Sequence, residues 1–242
     1  MEGINIWENA EWTVQARNII EALKEFPVDS KIILVLRHSH RNNPTEFEKM
    51  HELKLTPQGH QIANLFGQRL PASRTIRLFH SVVKRCQETA EDILTGFESV
   101  GGRGTLKGPL HPLFHVGTAP KFFLSTFKKE SPLEFMYRWA VGFYSPDKIT
   151  PFQSYCQNAA EVIWKGINDA QKSGIDIHIT HDIFLIALKY GWFGLPPDQE
   201  WVPFLGGVAF VLNKTEVKLF DKDRFLSIPN PYWWESRNSP GL

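Results

Sequence analysis

Cysteine is scarce in this 242-residue chain: Cys86 and Cys156 are the only two, too few for a disulfide framework and at home in a reducing compartment. An excess of one charge is also missing. Lys and Arg total 27 against 26 for Asp and Glu, a formal +1 with histidines neutral. No global field therefore favours nucleic acid or an anionic membrane, and any anion site must be concentrated locally. No run approaches the roughly 20 apolar residues of a membrane span. The opening MEGINIWENAEW carries early acidic residues where a secretion signal has a basic start and an apolar run. The expectation is a soluble, cytoplasmic chain with no membrane partner. What is present is core-forming material, 42% hydrophobic and 22% charged, which sets aside collagen-like, coiled-coil and disordered classes. It suffices for a single domain over 1–242 with a small cap.

Periodicity divides the chain into alternating strands and helices. A helix is expected from about Asn9 toward Phe26, with Trp12, Val14, Ile19, Ile20 and Leu23 on its apolar face. The run IILVL at 32–36 reads as a buried strand, followed at once by Arg37, His38, Ser39, His40 and Arg41. Thr56 before Pro57 is an N-cap with proline in the first turn, opening a helix that Pro71 stops. IRLFH at 76–80 predicts a strand, and SVVKRCQETAEDILTGF a loop and helix. SVGGRGTLKGPLHP at 99–112 reads as a flexible segment; its glycines lack the strand-to-helix spacing of a nucleotide fingerprint. Residues 113–155 are rich in aromatics, and the region from about 98 to 155 reads as an inserted cap. A helix is expected over 158–171, then the strand IDIHIT ending at His181-Asp182, then a helix from FLIALKYGWF. GGVAFVLNKTEVKLF suggests two strands around an Asn213-Lys214 turn, and PNPYWWESRNSPGL shows no clear regular element. This recurrence predicts an α/β layer architecture.

Three strand ends converge in this reading: RHSHR, Ser81 through Arg85, and His181-Asp182. Crevices outside the carboxyl ends of parallel strands are common ligand sites. Arg37, Arg41 and Arg85 are permanently charged planar donors suited to a phosphoryl group. His38 or His181 suits a nucleophile or proton shuttle, and Asp182 a carboxylic acid near a leaving oxygen. Glu130 and Glu134, in the cap region, are the alternative acids. Cys86, beside Arg85, reads as a core residue.

With LRHSHR, LTPQGHQIANLFGQRL, SVVKRCQETAEDI and THDIFL in this order, the sequence resembles the histidine phosphatase superfamily, in its acid-phosphatase-like branch and a shortened intracellular form. The resemblance implies a phosphoglycerate-mutase-like three-layer sandwich with a mostly parallel mixed sheet. It also implies a metal-independent phosphomonoester hydrolase without cofactor, acting on a small phosphorylated substrate. His38 would become transiently phosphorylated, Arg37, Arg41, Arg85 and His181 would hold the phosphoryl oxygens, and Asp182 would be the general acid. Ser39 stands where many relatives have glycine; it, His40 and Ser81 are expected around this centre. Two other functions fit the residues. One is metal-dependent hydrolysis using His38, His40 and the stretch from His178 to Asp182. In that reading His111 and His115, flanking Pro112, form no simple helical ligand pair. The other is a noncatalytic protein that binds phosphorylated ligands.

Overall fold

The computed structural model describes residues 2–43, 52–114 and 120–234. Strand β1 (Ile32–Arg37) is built from an unbroken apolar run, which is stable only when both faces of the sheet are covered. Both are. Ile33 and Val35 enter one buried cluster, while Ile32, Leu34 and Leu36 enter the other. Around β1 lie β2 (Thr75–His80), β3 (Arg103–Pro109), β4 (Ile175–Thr180), β5 (Gly207–Leu212), β6 (Glu216–Asp221) and β7 (Arg224–Pro229), in the order β3-β2-β4-β1-β5-β6-β7. The strands β3, β2, β4 and β1 run parallel; β5 is antiparallel to β1, and the sheet closes as an antiparallel meander.

One face is covered by α1 (Glu2–Asn9), α2 (Val14–Glu25), α3 (Pro57–Arg69) and α4 (Lys84–Ser99), whose Trp7, Leu23, Phe66 and Phe97 share a core with β1 and β4. The helices α3 and α4 cross very closely. A Cβ on Gly96 would lie 2.0 Å from the Asn64 carbonyl oxygen, so only glycine fits that crossing. After α5 (Pro120–Phe127), the other face is covered by α6 (Pro132–Ala140), α7 (Phe152–Gly166) and α8 (Asp182–Phe193), packing Phe135, Trp139, Trp164 and Trp192. The architecture is an α/β sandwich with a mixed, mostly parallel sheet.

Strand register positions the site. Arg37 lies level with Thr180, and His80 with Ile179. Immediately beyond, the His38 N–H donates to the Thr180 carbonyl and the Ser81 N–H to the Ile179 carbonyl, each at 2.9 Å. The carboxyl ends of β1, β2 and β4 are therefore flush.

Several elements depart from the sequence reading. The glycine-rich segment expected to be flexible forms β3, because its backbone extends the edge of β2 whatever its side chains. The N-terminal helix begins earlier and is broken at Ala10, where the backbone turns extended (ψ 133°) before a 3-10 turn at Glu11–Thr13. The helix expected from Asn158 starts at Phe152, directly after Pro151, and ends at Gly166. The expected strand pair is a three-stranded meander: β7 pairs with β6 through a tight turn in which Lys222 takes φ 59°. Among the described residues, no helix is long and apolar enough to cross a membrane.

Candidate active site

The β1 end delivers Arg37 and then His38, which is 2% exposed. The His38 Nδ1 lies 2.7 Å from the Ser39 carbonyl, and its Nε2 accepts the Nε–H of Arg85 at 2.9 Å. A carbonyl can only accept, so Nδ1 carries the proton and the Nε2 lone pair faces the site. Ser39 serves through its backbone. Its hydroxyl donates to the Gly59 carbonyl at 2.7 Å and its N–H donates to Thr89 Oγ1 at 3.0 Å, so its side chain is spent in tethering the loop. Gly59, in the first turn of α3, permits that approach: a Cβ there would fall 2.2 Å from the His40 carbonyl oxygen.

Arg85, the second residue of α4, bridges the two histidines. Its Nη2 donates to His181 Nδ1 at 3.0 Å, and the His181 Nε2–H donates to Ser81 Oγ at 2.9 Å. Asp182 opens α8. One carboxylate oxygen accepts the Ile183 N–H at 2.8 Å, and the other pairs with Arg37 Nη2 at 2.9 Å. Arg37 also donates to the Val202 carbonyl at 2.6 Å and lies 4.3 Å from the Phe204 ring centroid. Among the described residues its Nε and that of Arg41 are buried without an acceptor, while Arg41 Nη1 donates to the Asn42 carbonyl.

Electrostatics follow from burial and crowding. Burial, reinforced by the neighbouring positive charges, holds His38 and His181 well below the ordinary histidine range, so both are neutral. Burial also lowers Arg85, to about 10, which leaves it charged at neutral pH. Burial pushes the Asp182 carboxyl up, but Arg37, the Trp201 side chain and the Ile183 N–H outweigh it and pull the group below the usual carboxylate range. Cys86 lies in the core beneath His181, its thiol pushed up by burial to about 12. Among the described residues, three guanidinium groups and one carboxylate give the cluster a net +2, the charge that complements a phosphoryl dianion.

The remaining candidates lie apart from this cluster. His40 donates or accepts at Thr56 Oγ1 (2.8 Å) and packs between Trp12 and Phe204. His178 is buried with both ring nitrogens unpartnered, stacked on Phe79 at 4.8 Å. Among the described residues, no three His, Cys, Asp or Glu side chains form a set able to hold a metal ion. His115 lies outside the described residues. Glu130 pairs with Arg138 at 2.8 Å and accepts the Tyr144 hydroxyl, and Glu134 closes the capping box of α6 with Ser131. Sequence reasoning missed Trp201, Val202 and Phe204, whereas Phe114 falls in the aromatic-rich stretch 113–155 expected to form a cap. The first three sit in a proline- and glycine-punctuated loop before β5, and Phe114 lies 5.7 Å from the His181 ring. An isolated Trp or Phe in such a loop carries no signal separable from core packing.

The mycobacterial glucosyl-3-phosphoglycerate phosphatase structure, solved with VO3, is similar at TM-score 0.57 and 12% identity, covering 79% of this chain and 98% of that one. YhfR of Bacillus stearothermophilus gives 0.51 at 20% identity, covering 76% and 92%. A phosphoserine phosphatase mutant from Entamoeba histolytica gives 0.50 at 13%, covering 84% and 97%. These likenesses establish the phosphoglycerate-mutase-like fold. No curated protein sequence matches the chain. The acid-phosphatase-like assignment is corrected by the stretch that a family model recognises. That stretch, residues 33–101, spans the His38 loop and the Arg85 helix and matches the histidine phosphatase superfamily, branch 1.

Proposed function

We propose that this chain is a metal-independent phosphomonoester hydrolase that works through a transient phosphohistidine on His38. The observation that carries the reading is the single guanidinium of Arg85 spanning His38 Nε2 and His181 Nδ1 in a pocket of net positive charge. An incoming phosphoryl group supplies acceptors for the donors of Arg37, Arg41 and Arg85, and Arg85 then releases the His38 lone pair. Nε2 attacks phosphorus, the ester P–O bond breaks, and the leaving oxygen takes a proton. Asp182 is the acid in this reading. The dianion competes for Arg37 and adds negative charge beside the carboxylate, both of which raise its affinity for a proton. In the second step water attacks phosphorus, the P–N bond breaks, the water proton passes to Asp182, and His38 is restored.

The test is phosphate release from a varied phosphomonoester panel, without added metal, by wild type and His38→Ala, with acid quenching to trap a phosphorylated histidine. Turnover and a labelled intermediate, both lost in the variant, are expected. Unchanged turnover in His38→Ala would reject the nucleophile. Tight binding of phosphorylated compounds without turnover by folded wild type would favour a noncatalytic binding role.

A further inference from the structure

The groups that bond the His38 and His181 rings are polar, yet the rings packed beside them are apolar. Val82, next to Ser81, is 62% exposed, and Phe114, against the His181 ring, is 38% exposed. Phe114 is backed by Phe184 at 6.0 Å, and Phe184 in turn lies 5.9 Å from His181. On the other side Phe204 lies 5.7 Å from His38 and is itself braced by Trp12 at 6.0 Å. Aromatic rings therefore abut both catalytic-site histidines, and apolar surface is left open within one ring's width of His181. A sugar or polyol leaving group set against these walls would lose water from its hydroxyls without replacement. A hydrophobic one would bury apolar area there and meet ring edges and faces.

We infer that the substrate class is a phosphomonoester of an alcohol carrying an aromatic ring, seated on Phe114. The inference rests on the phosphatase reading and deepens it. The test compares 2-phenylethyl phosphate with glycerol 3-phosphate, both of which leave as ordinary alkoxides, so that binding rather than leaving-group chemistry separates them. Wild type should favour the phenylethyl ester in kcat/KM by about tenfold or more. Phe114→Ala should erase most of that preference, and Phe114→Leu should recover part of it. Equal kcat/KM for the two esters, or a preference unmoved by Phe114→Ala, overturns the inference while leaving the hydrolase reading intact. If neither ester shows His38-dependent turnover, the hydrolase reading is judged on the wider phosphomonoester panel and the subsite by binding. Calorimetry with 2-phenylethylphosphonate and methylphosphonate then decides the subsite: tighter binding of the phenylethyl compound, lost in Phe114→Ala, supports it, and equal affinity rejects it.

Discussion

Single atoms carry the chemistry at the residue scale. Arg85 spans two histidine nitrogens with one planar fork, which the point charge of lysine cannot reproduce. Arg85→Lys should therefore lower kcat/KM by about 10²-fold, the cost typical of a lost charge-stabilising donor, in steady-state assays at neutral pH. Ser39 makes the opposite prediction, because its carbonyl rather than its hydroxyl orients His38. Ser39→Ala should cost about 1 kcal/mol in urea denaturation, the worth of one buried hydrogen bond, with kcat reduced far less than in Arg85→Lys. His178 shows a buried residue the chemistry does not use. Its folded pKa is lowered to about 3, by burial first and Arg77 second, so the unfolded chain binds its proton more readily. The stability contribution is full above pH 6.5 and is lost as pH falls from there toward 3, at up to about 1.4 kcal/mol per pH unit. His178→Phe, which keeps a ring against Phe79, should flatten that slope; an unchanged pH dependence of the denaturation midpoint would refute the assignment.

The element scale explains what the sequence made legible. The strands β1 and β4 announce themselves by isoleucine-rich runs, and each ends where a run of polar residues begins, so Arg37, His38, His181 and Asp182 were placed from pattern alone. The helix α3 was equally plain, because Thr56 and Pro57 form its first turn. By contrast β3 has a poor strand composition and exists through backbone pairing to β2, a tertiary cause. The loop before β5 is hidden for the same reason: its Val202 contributes a carbonyl, and any residue has one. The junction between α3 and the His38 loop also gives a test. Gly59→Ala would push a methyl into the His40 carbonyl, so the helix or the loop must move. A loss of about 1 to 3 kcal/mol is expected, as for overpacking elsewhere, together with a fall in kcat because the displaced loop carries His38. Both are read from one preparation by urea titration and initial rates.

On the scale of the whole molecule, the site sets chemistry against stability. His38, His178 and His181 are all buried and all held below the ordinary histidine range, and each is neutral in the folded state. Unfolding lets each take up a proton below about pH 6.5, so their contributions have one sign: stability is full above that pH and falls as acid is added. Asp182, lowered from its ordinary value, adds a loss of the same sense at more acidic pH, below about 3.8. In the proposed mechanism the first step needs a protonated Asp182, so turnover is expected to rise toward acid until the fold gives way. In the proposed reading a phosphoryl group would link the two trends, because it would bind the folded state alone and neutralise the repulsion among Arg37, Arg41 and Arg85. Melting curves should show Tm dropping steeply from pH 6.5 to 4.5. Inorganic phosphate at 100 times its Kd should restore about 2.7 kcal/mol at any pH where the site still forms. Ligand protection that vanishes in Arg85→Lys would locate the effect at this pocket, whereas a Tm constant from pH 7 to 5 would mean that the buried histidines do not govern acid stability.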